Sequence, residues 1–346
     1  MLENYYGNHM VSVVIFQCED IMNRIITIVA CIILMFILLL LHSSENNTVK
    51  KIQSYYTTVS TVNSQRKKVE IGFSKVPQRV IANRIYVAET LIALGAEKNI
   101  LAVNYQNTDR YKEYLPQYKE QADNLSKITY DNLTVEEAIS LQPDLIIGWL
   151  STFNSKSLET TDFWNKRGVN TYINTTSNGL TKHETIEAQE KFILDMGKIF
   201  QKEAESKKLV DNIEKSIKST ISSKDKNQRV LVLENGGRNF RNYDSDTLAG
   251  NMVERLNGQI ASQGRVLSYE EVIKINPEVI FLVYFNKDRF IQLKQIYSVP
   301  ALHSVNAIKN KRVYPIRLDY IYTPGVRIVE GLKIMRKGLY DEQKYL

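Results

Sequence analysis

The chain contains one unit twice. "LTVEEAISLQPDLIIGW" occupies residues 133–149 and "LSYEEVIKINPEVIFLV" occupies residues 267–283. In each copy a hydroxyl residue (Thr134, Ser268) stands three places before a glutamate (Glu137, Glu271), the capping box that starts a helix by satisfying its first N–H groups in both directions. About two turns of helix follow. Pro143 and Pro277 then turn the preceding residue out of helical geometry, and the apolar runs Leu145–Ile147 and Val279–Leu282 read as strands buried on both faces. Two such units predict a two-lobed α/β protein, each copy closing one lobe.

Each copy carries a second carboxylate that the cap does not use, Glu136 and Glu270. A glutamate in a first turn complements the helix dipole, which by itself explains one such residue. Matched positions in both copies add a second reading, two exposed acidic knobs offered to a two-fold symmetric partner. Their place at the helix start sets them, on this reading, at the opposite end of the unit from the cleft-forming strand terminus.

From Val69 the chain alternates strands and helices: "RVIA", a helix "VAETLIALGA" ending at Gly95, "NILAV", the first unit, then "NTYIN". That is a parallel α/β lobe over residues 69–182. Residues 183–224 contain no proline and one glycine, with Ile186, Phe192, Ile193, Met196, Ile199, Leu209, Val210, Ile213, Ile217 and Ile221 at helical spacing. They predict a long rigid helical connector with a break near Phe200. Residues 225–346 form the second lobe, closed by a helix started by Pro324 and carrying Ile328, Val329, Leu332 and Met335.

Two α/β lobes with mainly parallel sheets and a rigid connector leave a ligand cleft between them, lined by loops at the carboxyl ends of strands. Those loops hold Arg84, Tyr86, Tyr105 and Trp149 in the first lobe, and Arg238, Arg241, Tyr243, Tyr284, Arg317, Tyr320 and Tyr322 in the second. Any one of them serves equally well as a packing residue. Together they repeat aromatic faces beside guanidinium groups, a lining suited to a bulky anionic ligand.

The formal charge is +7, and residues 1–43 carry only Arg24 against Glu3, Glu19 and Asp20, so the remainder holds +9, the +7 less that segment's −2. The excess is spread out, with no nucleic-acid module, so nucleic acid is not an expected partner. Both cysteines, Cys18 and Cys31, precede the body, which excludes a disulfide or thiolate metal site there. Residues 25–41 are 17 uncharged residues after Arg24, so residues 1–42 read as an export signal or membrane anchor. The stretch beginning at Met22 reads as an ordinary signal start, which sets residues 1–21 outside the natural product. "IVAC" resembles a lipobox with Cys31 as its lipidation site, but ten apolar residues follow that cysteine, so an uncleaved anchor on the outer face of the cell membrane is the stronger expectation. Residues 43–68 are polar and rich in Ser, Thr and Asn, and read as a flexible tether. The body is accordingly expected to fold from about Val69, and deletion of residues 1–66 to leave it soluble.

Over residues 69–340 the sequence resembles the substrate-binding proteins of ABC importers for ferric siderophores, haem and cobalamin. The likeness rests on "PQRVIANRIYVAETLIALGAEKNILAV", "TVEEAISLQPDLIIGW", "ETIEAQEKFILDMGKIFQKEAESKKLVDNIEKSI" and "VPALHSVNAIKNKRVYPI" in that order. The resemblance implies two lobes with a helical connection, small hinge motion, and a permease dimer with its ATPase as partners. It also implies docking of Glu136 and Glu270 on permease arginines, with no resident cofactor or metal.

A ferric-siderophore complex leads among ligands. Haem is second, since of the cleft residues only tyrosine could serve as its axial ligand. Cobalamin is third, having little use for several arginines. The reading from another class is a two-domain α/β enzyme with an interlobe active site. Against it stand the absence of a P-loop, of G-x-G-x-x-G after a strand and of G-x-S-x-G. The four histidines, His9, His42, His183 and His303, are not spaced as a metal site.

Overall fold

The computed structural model describes residues 22, 24, 26–37, 54–105, 113–125, 129–176, 180–218, 227–285, 289–322 and 325–340, in two units, Met1–Ser54 and Tyr55–Leu346. In the first unit residues 26–37 are helical and exposed, Cys31 among them. Among the described residues no helix is long and apolar enough to cross a membrane. The readings placed on residues 1–21 and 43–53, on 219–224 and on Pro324 lie outside the described residues.

The second unit opens with a hairpin. Strand β1 (Thr57–Val62) runs antiparallel to β2 (Lys68–Phe73), pairing Thr57 with Phe73 and Val62 with Lys68. Val59, Thr61 and Phe73 are almost wholly buried. The hairpin is stitched to the body: Thr61 Oγ1 donates to the Ile173 carbonyl at 2.6 Å, and Lys191 Nζ donates to the Ser60 carbonyl at 2.8 Å. This corrects the tether assignment, which fails for residues 55–68, and with it the expectation of a body that folds from Val69. The Thr and Val of "TTVSTV" are strand formers that alternate toward the core, and their period of two outweighs their linker-like composition.

The first lobe contains β3 (Val80–Asn83), α1 (Ile85–Ala93), β4 (Ile100–Asn104), α2 (Lys119–Asp123) and β5 (Thr129–Tyr130). It continues through α3 (Val135–Ser140), β6 (Leu145–Gly148), α4 (Thr161–Asn165) and β7 (Asn170–Ile173). All pairings in its sheet are parallel, in the order β5-β4-β3-β6-β7. The chain therefore reverses its direction of winding between β3 and β6, and the crevice at their carboxyl ends is the place where such a sheet receives a ligand.

The connector is α5 (Ile186–Ile199) and α6 (Glu203–Lys218), with the break where the sequence puts it. Lys202 N donates to the Gly197 carbonyl at 2.7 Å and Gln201 takes a left-handed φ of 54°, so the chain doubles back. Arg255 reaches both Glu187, in the first turn of α5, and Glu214, late in α6, as only an antiparallel pair permits. A side chain at Gly197 would meet Ser206 of the facing helix. The antiparallel pair therefore spans only the length of α5, about 21 Å at 1.5 Å per residue, and not the summed length of both helices.

The second lobe holds β8 (Arg229–Asn235), β9 (Asn239–Asn242), α7 (Leu248–Arg255), β10 (Gln259–Ile260), β11 (Val266–Ser268) and α8 (Tyr269–Ile275). There follow β12 (Val279–Tyr284), α9 (Arg289–Tyr297), α10 (Asn306–Lys309), β13 (Val313–Arg317) and α11 (Ile328–Tyr340). Its sheet order is β11-β9-β8-β12-β13, parallel at β8, β12 and β13 and antiparallel through β9 and β11. All six residues of β12 are buried, as its unbroken apolar run requires. One apolar cluster runs from Val80 and Leu91 through Phe192 and Ile213 to Phe281 and Met335, so the lobes share a core along α5 and α6.

Beside that shared core, on α5, stands a half-buried carboxyl, Glu190. Burial, reinforced by Glu214 and Glu187 and opposed by Arg255, raises the Glu190 carboxyl to about 7. A carboxyl raised in the folded state stabilises it while protonated, and that contribution is lost as pH rises from the usual carboxylate range through 7. Glu190→Gln is therefore expected to melt above the parent at pH 8, with the gap closing toward pH 5. Scanning calorimetry of both at the two pH values checks this; a gap independent of pH sinks it.

Candidate functional site

Asn83 and Asn104 end the two central strands and hold each other: Asn104 Nδ2 donates to Asn83 Oδ1 at 2.7 Å, and Asn83 Nδ2 donates to Thr152 Oγ1 at 2.7 Å. On this polar frame Arg84 caps α1 with φ 102° and ψ 147°, a conformation costly for any residue with a side chain. Its backbone N–H donates to the Asn104 carbonyl at 2.8 Å. The strain aims the guanidinium at the crevice, where it lies 3.6 Å from the centre of the Trp149 ring, at the β3/β6 reversal point. Trp149 also meets Tyr86 (6.4 Å between centroids) and, edge on, Tyr322 of the second lobe (5.6 Å).

Tyr322 carries the cluster across. Burial raises its hydroxyl, Glu184 adds to the rise, and Arg241 and Arg84 oppose it, so both guanidinium groups act on one phenol. A cavity of about 210 Å³ opens here, lined by Lys182, Glu184, Arg241, Tyr243, Asp246 and Tyr322 among others. Burial also raises the Glu184 carboxyl, against a backbone hydrogen bond from Leu248 and the pull of Arg241. Tyr243 is nearly inaccessible and its hydroxyl donates to Glu234 at 2.6 Å, so it supports Arg241, whose guanidinium lies 4.8 Å from its ring, as part of the wall.

A second group forms around β12 and β13. Tyr284, Arg317 and Tyr320 assemble there, with the Arg317 guanidinium 5.0 Å from the Tyr320 ring. Burial raises the Tyr284 hydroxyl, and Arg317, then Arg289 at the start of α9, oppose the rise. Arg317 is not a bare cation: its Nε and Nη2 donate to the two oxygens of Asp319 at 3.0 and 2.8 Å. Asp319 in turn accepts from Arg327, which is wholly buried and also grips both oxygens of Glu89 on α1 of the first lobe.

Of the sequence-predicted residues, Arg84, Tyr86, Trp149, Arg241, Tyr243 and Tyr322 come together in one group, and Tyr284, Arg317 and Tyr320 in another. Tyr105 lines a different cavity, of about 670 Å³, beside β4 of the first lobe with Tyr114 and Lys119. Arg238 lies apart in the exposed turn between β8 and β9, where the neighbouring Gly237 carbonyl accepts from the Tyr269 hydroxyl of α8 at 2.7 Å. Sequence reasoning missed Glu89, Glu184, Arg289, Asp319 and Arg327. For Glu89 a signal existed: it is the lone charge in "IYVAETLIA", and a charge among apolar residues requires a buried partner.

Both capping boxes are formed. Thr134 N donates to Glu137 Oε2 at 2.8 Å and Ser268 N to Glu271 Oε2 at 2.7 Å, each with the reciprocal bond at 3.2 Å. Glu136 and Glu270 stand beside them, exposed. The expectation that they lie away from the cleft is corrected. Leu133 N donates to Asn104 Oδ1 at 3.0 Å, at the carboxyl end of β4, and Ser268 pairs with Asn239, next to the end of β8. A crossover helix runs antiparallel to the strand it feeds, so it starts where the strands end. The two glutamates therefore rim the cleft.

A sequence profile of the family described as periplasmic binding protein matches residues 80–320. A periplasmic binding protein from Veillonella parvula DSM 2008, known from its crystal structure, is 31% identical; the match covers 84% of this chain and 96% of that one, with a TM-score of 0.76. Two proteins of Bacillus subtilis (strain 168) are similar in sequence. The uncharacterised ABC transporter substrate-binding lipoprotein YvrC is 20% identical, over 85% of this chain and 88% of its own length. The petrobactin-binding protein YclQ is 26% identical, over 81% and 88%.

Proposed function

Because this chain belongs to the periplasmic binding protein family, and is thereby a substrate-binding component of an ABC transporter and not an enzyme, we propose that it captures a ferric-siderophore complex outside the cytoplasm and delivers it to the permease. The observation that carries the reading is the convergence of Arg84, Trp149, Tyr322 and Arg241 from both lobes at the strand-reversal crevice. Guanidinium forks match the oxygens of an anionic chelate, and the rings pack against its flat groups. The relative named for petrobactin binding supports the same ligand class. The N-terminal apolar segment tethers the body to the outer face of the membrane, and Glu136 and Glu270 engage the two permease halves.

Native mass spectrometry with an optical spectrum of the full chain purified from its host tests the ligand class, since an iron chelate, a haem and a cobalamin differ in mass and absorption. Recovery of a tetrapyrrole would overturn it. For the site, Arg84→Ala or Arg241→Ala is expected to weaken binding by about 1–3 kcal/mol, the range for a charge-assisted hydrogen bond. Arg238→Ala is expected to bind like the parent, because that residue sits in the rim turn. Titration by quenching of Trp149 reads all three, and parental affinity in both of the first two removes the anionic-ligand reading.

A further inference from the structure

Asp319 is shared between two arginines of different character. Oδ1 takes Arg317 Nε, and Oδ2 takes both Arg317 Nη2 and Arg327 Nη1. Arg317 stands at the carboxyl end of β13 with its side chain 18% exposed, and Arg327 is 1% exposed. Arg327 is fixed from the other side: Nε and Nη2 hold Glu89, the latter bond at 2.8 Å, and Nη2 also donates to the Glu113 carbonyl at 2.8 Å. Glu89 is fully buried and accepts a further bond from Leu115 N at 2.7 Å. The turn that delivers Arg327 presses on α1: Gly325 has φ 53°, and a side chain there would fall 2.6 Å from Thr90 Oγ1. The row therefore reads Glu89, Arg327, Asp319, Arg317, charges alternating from the interior of the first lobe to the cleft.

We propose that Asp319 is a positioning residue that sets how much of the Arg317 charge is available to an anionic ligand, and that the buried Glu89–Arg327 pair controls this by holding Asp319 back. The proposal rests on the reading of the cleft as a site for anionic chelates. The Nε–Nη2 edge of Arg317 can fork a ligand oxygen only as it gives up Asp319. Arg327 makes that exchange feasible, because it keeps a hydrogen-bond partner on the displaced carboxylate. Removal of Arg327 leaves Asp319 wholly to Arg317 and closes the receptor, while neutralising Asp319 opens it. A purely architectural role for the row predicts instead that every substitution in it weakens binding.

The test uses the full chain and, as probe, the anionic ferric complex of 2,3-dihydroxybenzoate, followed by Trp149 fluorescence. Asp319→Asn is expected to bind roughly tenfold tighter, with a steeper loss of affinity on adding salt. Glu89→Gln/Arg327→Met, which removes both buried charges together so that neither is left alone, is expected to bind roughly tenfold more weakly. In parallel, the rate of phenylglyoxal modification at Arg317, mapped by mass spectrometry without any ligand, is expected to rise in the first variant and fall in the second. Weaker binding and an unchanged Arg317 rate in Asp319→Asn would overturn the proposal. If the parent fails to bind the probe, the ligand reading falls, and the modification rates still decide the role of Asp319: equal rates in all three proteins reject it.

Discussion

A chain shortened to begin at Tyr55 is expected to keep the full cooperative melting transition, and one shortened to begin at Lys67 is expected to lose it. The second cut removes β1, and with it Val59 from the core, and it uncovers Ile71 and Phe73 on β2. Each such side chain contributes about 1.5–3 kcal/mol when buried, so the loss is roughly 5–9 kcal/mol. Domains are typically stable by about 5–15 kcal/mol, so most or all of the margin would go. The anchoring bonds of Thr61 to Ile173 and of Lys191 to Ser60 go with it. Circular dichroism melting of the two truncations decides the matter: two equal transitions would show that the hairpin is an ornament on an already stable body.

The other large effect is expected at the cleft rim. Glu136→Ala and Glu270→Ala should each weaken association with the permease by about 2–5 kcal/mol, the loss when an interfacial charge leaves its partner buried and alone. Ligand affinity should hold, since neither carboxylate belongs to the clusters around Trp149 or Arg317. Their neighbours are expected to behave in the opposite way. Glu137 and Glu271 are committed to the caps, and the backbone and side-chain bonds from Ser268 hold the Glu271 carboxyl below the usual carboxylate range. Glu271→Ala should therefore lower the melting temperature above the usual carboxylate range. That difference should vanish as pH falls through the depressed value, because the cap's contribution requires the ionised form. Docking should be intact in both cap variants. Uptake assays, ligand titration and melting on all four variants separate the roles, and normal uptake by the Glu136→Ala/Glu270→Ala double variant would end the docking claim.

The parts of this protein that were legible in the sequence are those set by neighbours along the chain. A capping box lies within four residues, and a buried strand reads from its own apolar run, so the two units and their lobes were visible from "TVEEAISLQPDLIIG" and "SYEEVIKINPEVIFLV" alone. The connector showed its apolar faces and its break, but not the reversal at Gln201, which depends on α6 finding α5. The hairpin was hidden by composition: Ser and Thr suit linkers and strands alike, and only its buried partners decide between them. The Glu89–Arg327 pair spans 238 positions, beyond any local pattern, although a lone glutamate in an apolar helix hinted that something must answer it. Arg238 joins neither cluster, and residue type alone does not show this: it tells that a loop holds an arginine, not which side chains the fold brings near it.

Because both acidic knobs start helices at the strand ends that also frame the crevice, any partner that grips the two together must roof the opening. Loading from the medium and unloading into the partner then use one doorway and exclude each other in time. An empty copy carries the same two glutamates as a full one, and on the docking reading it would compete for the berth without bringing cargo. Throughput would then depend on how quickly spent copies depart, and overproducing the protein beyond its supply of ligand would slow the very traffic it serves.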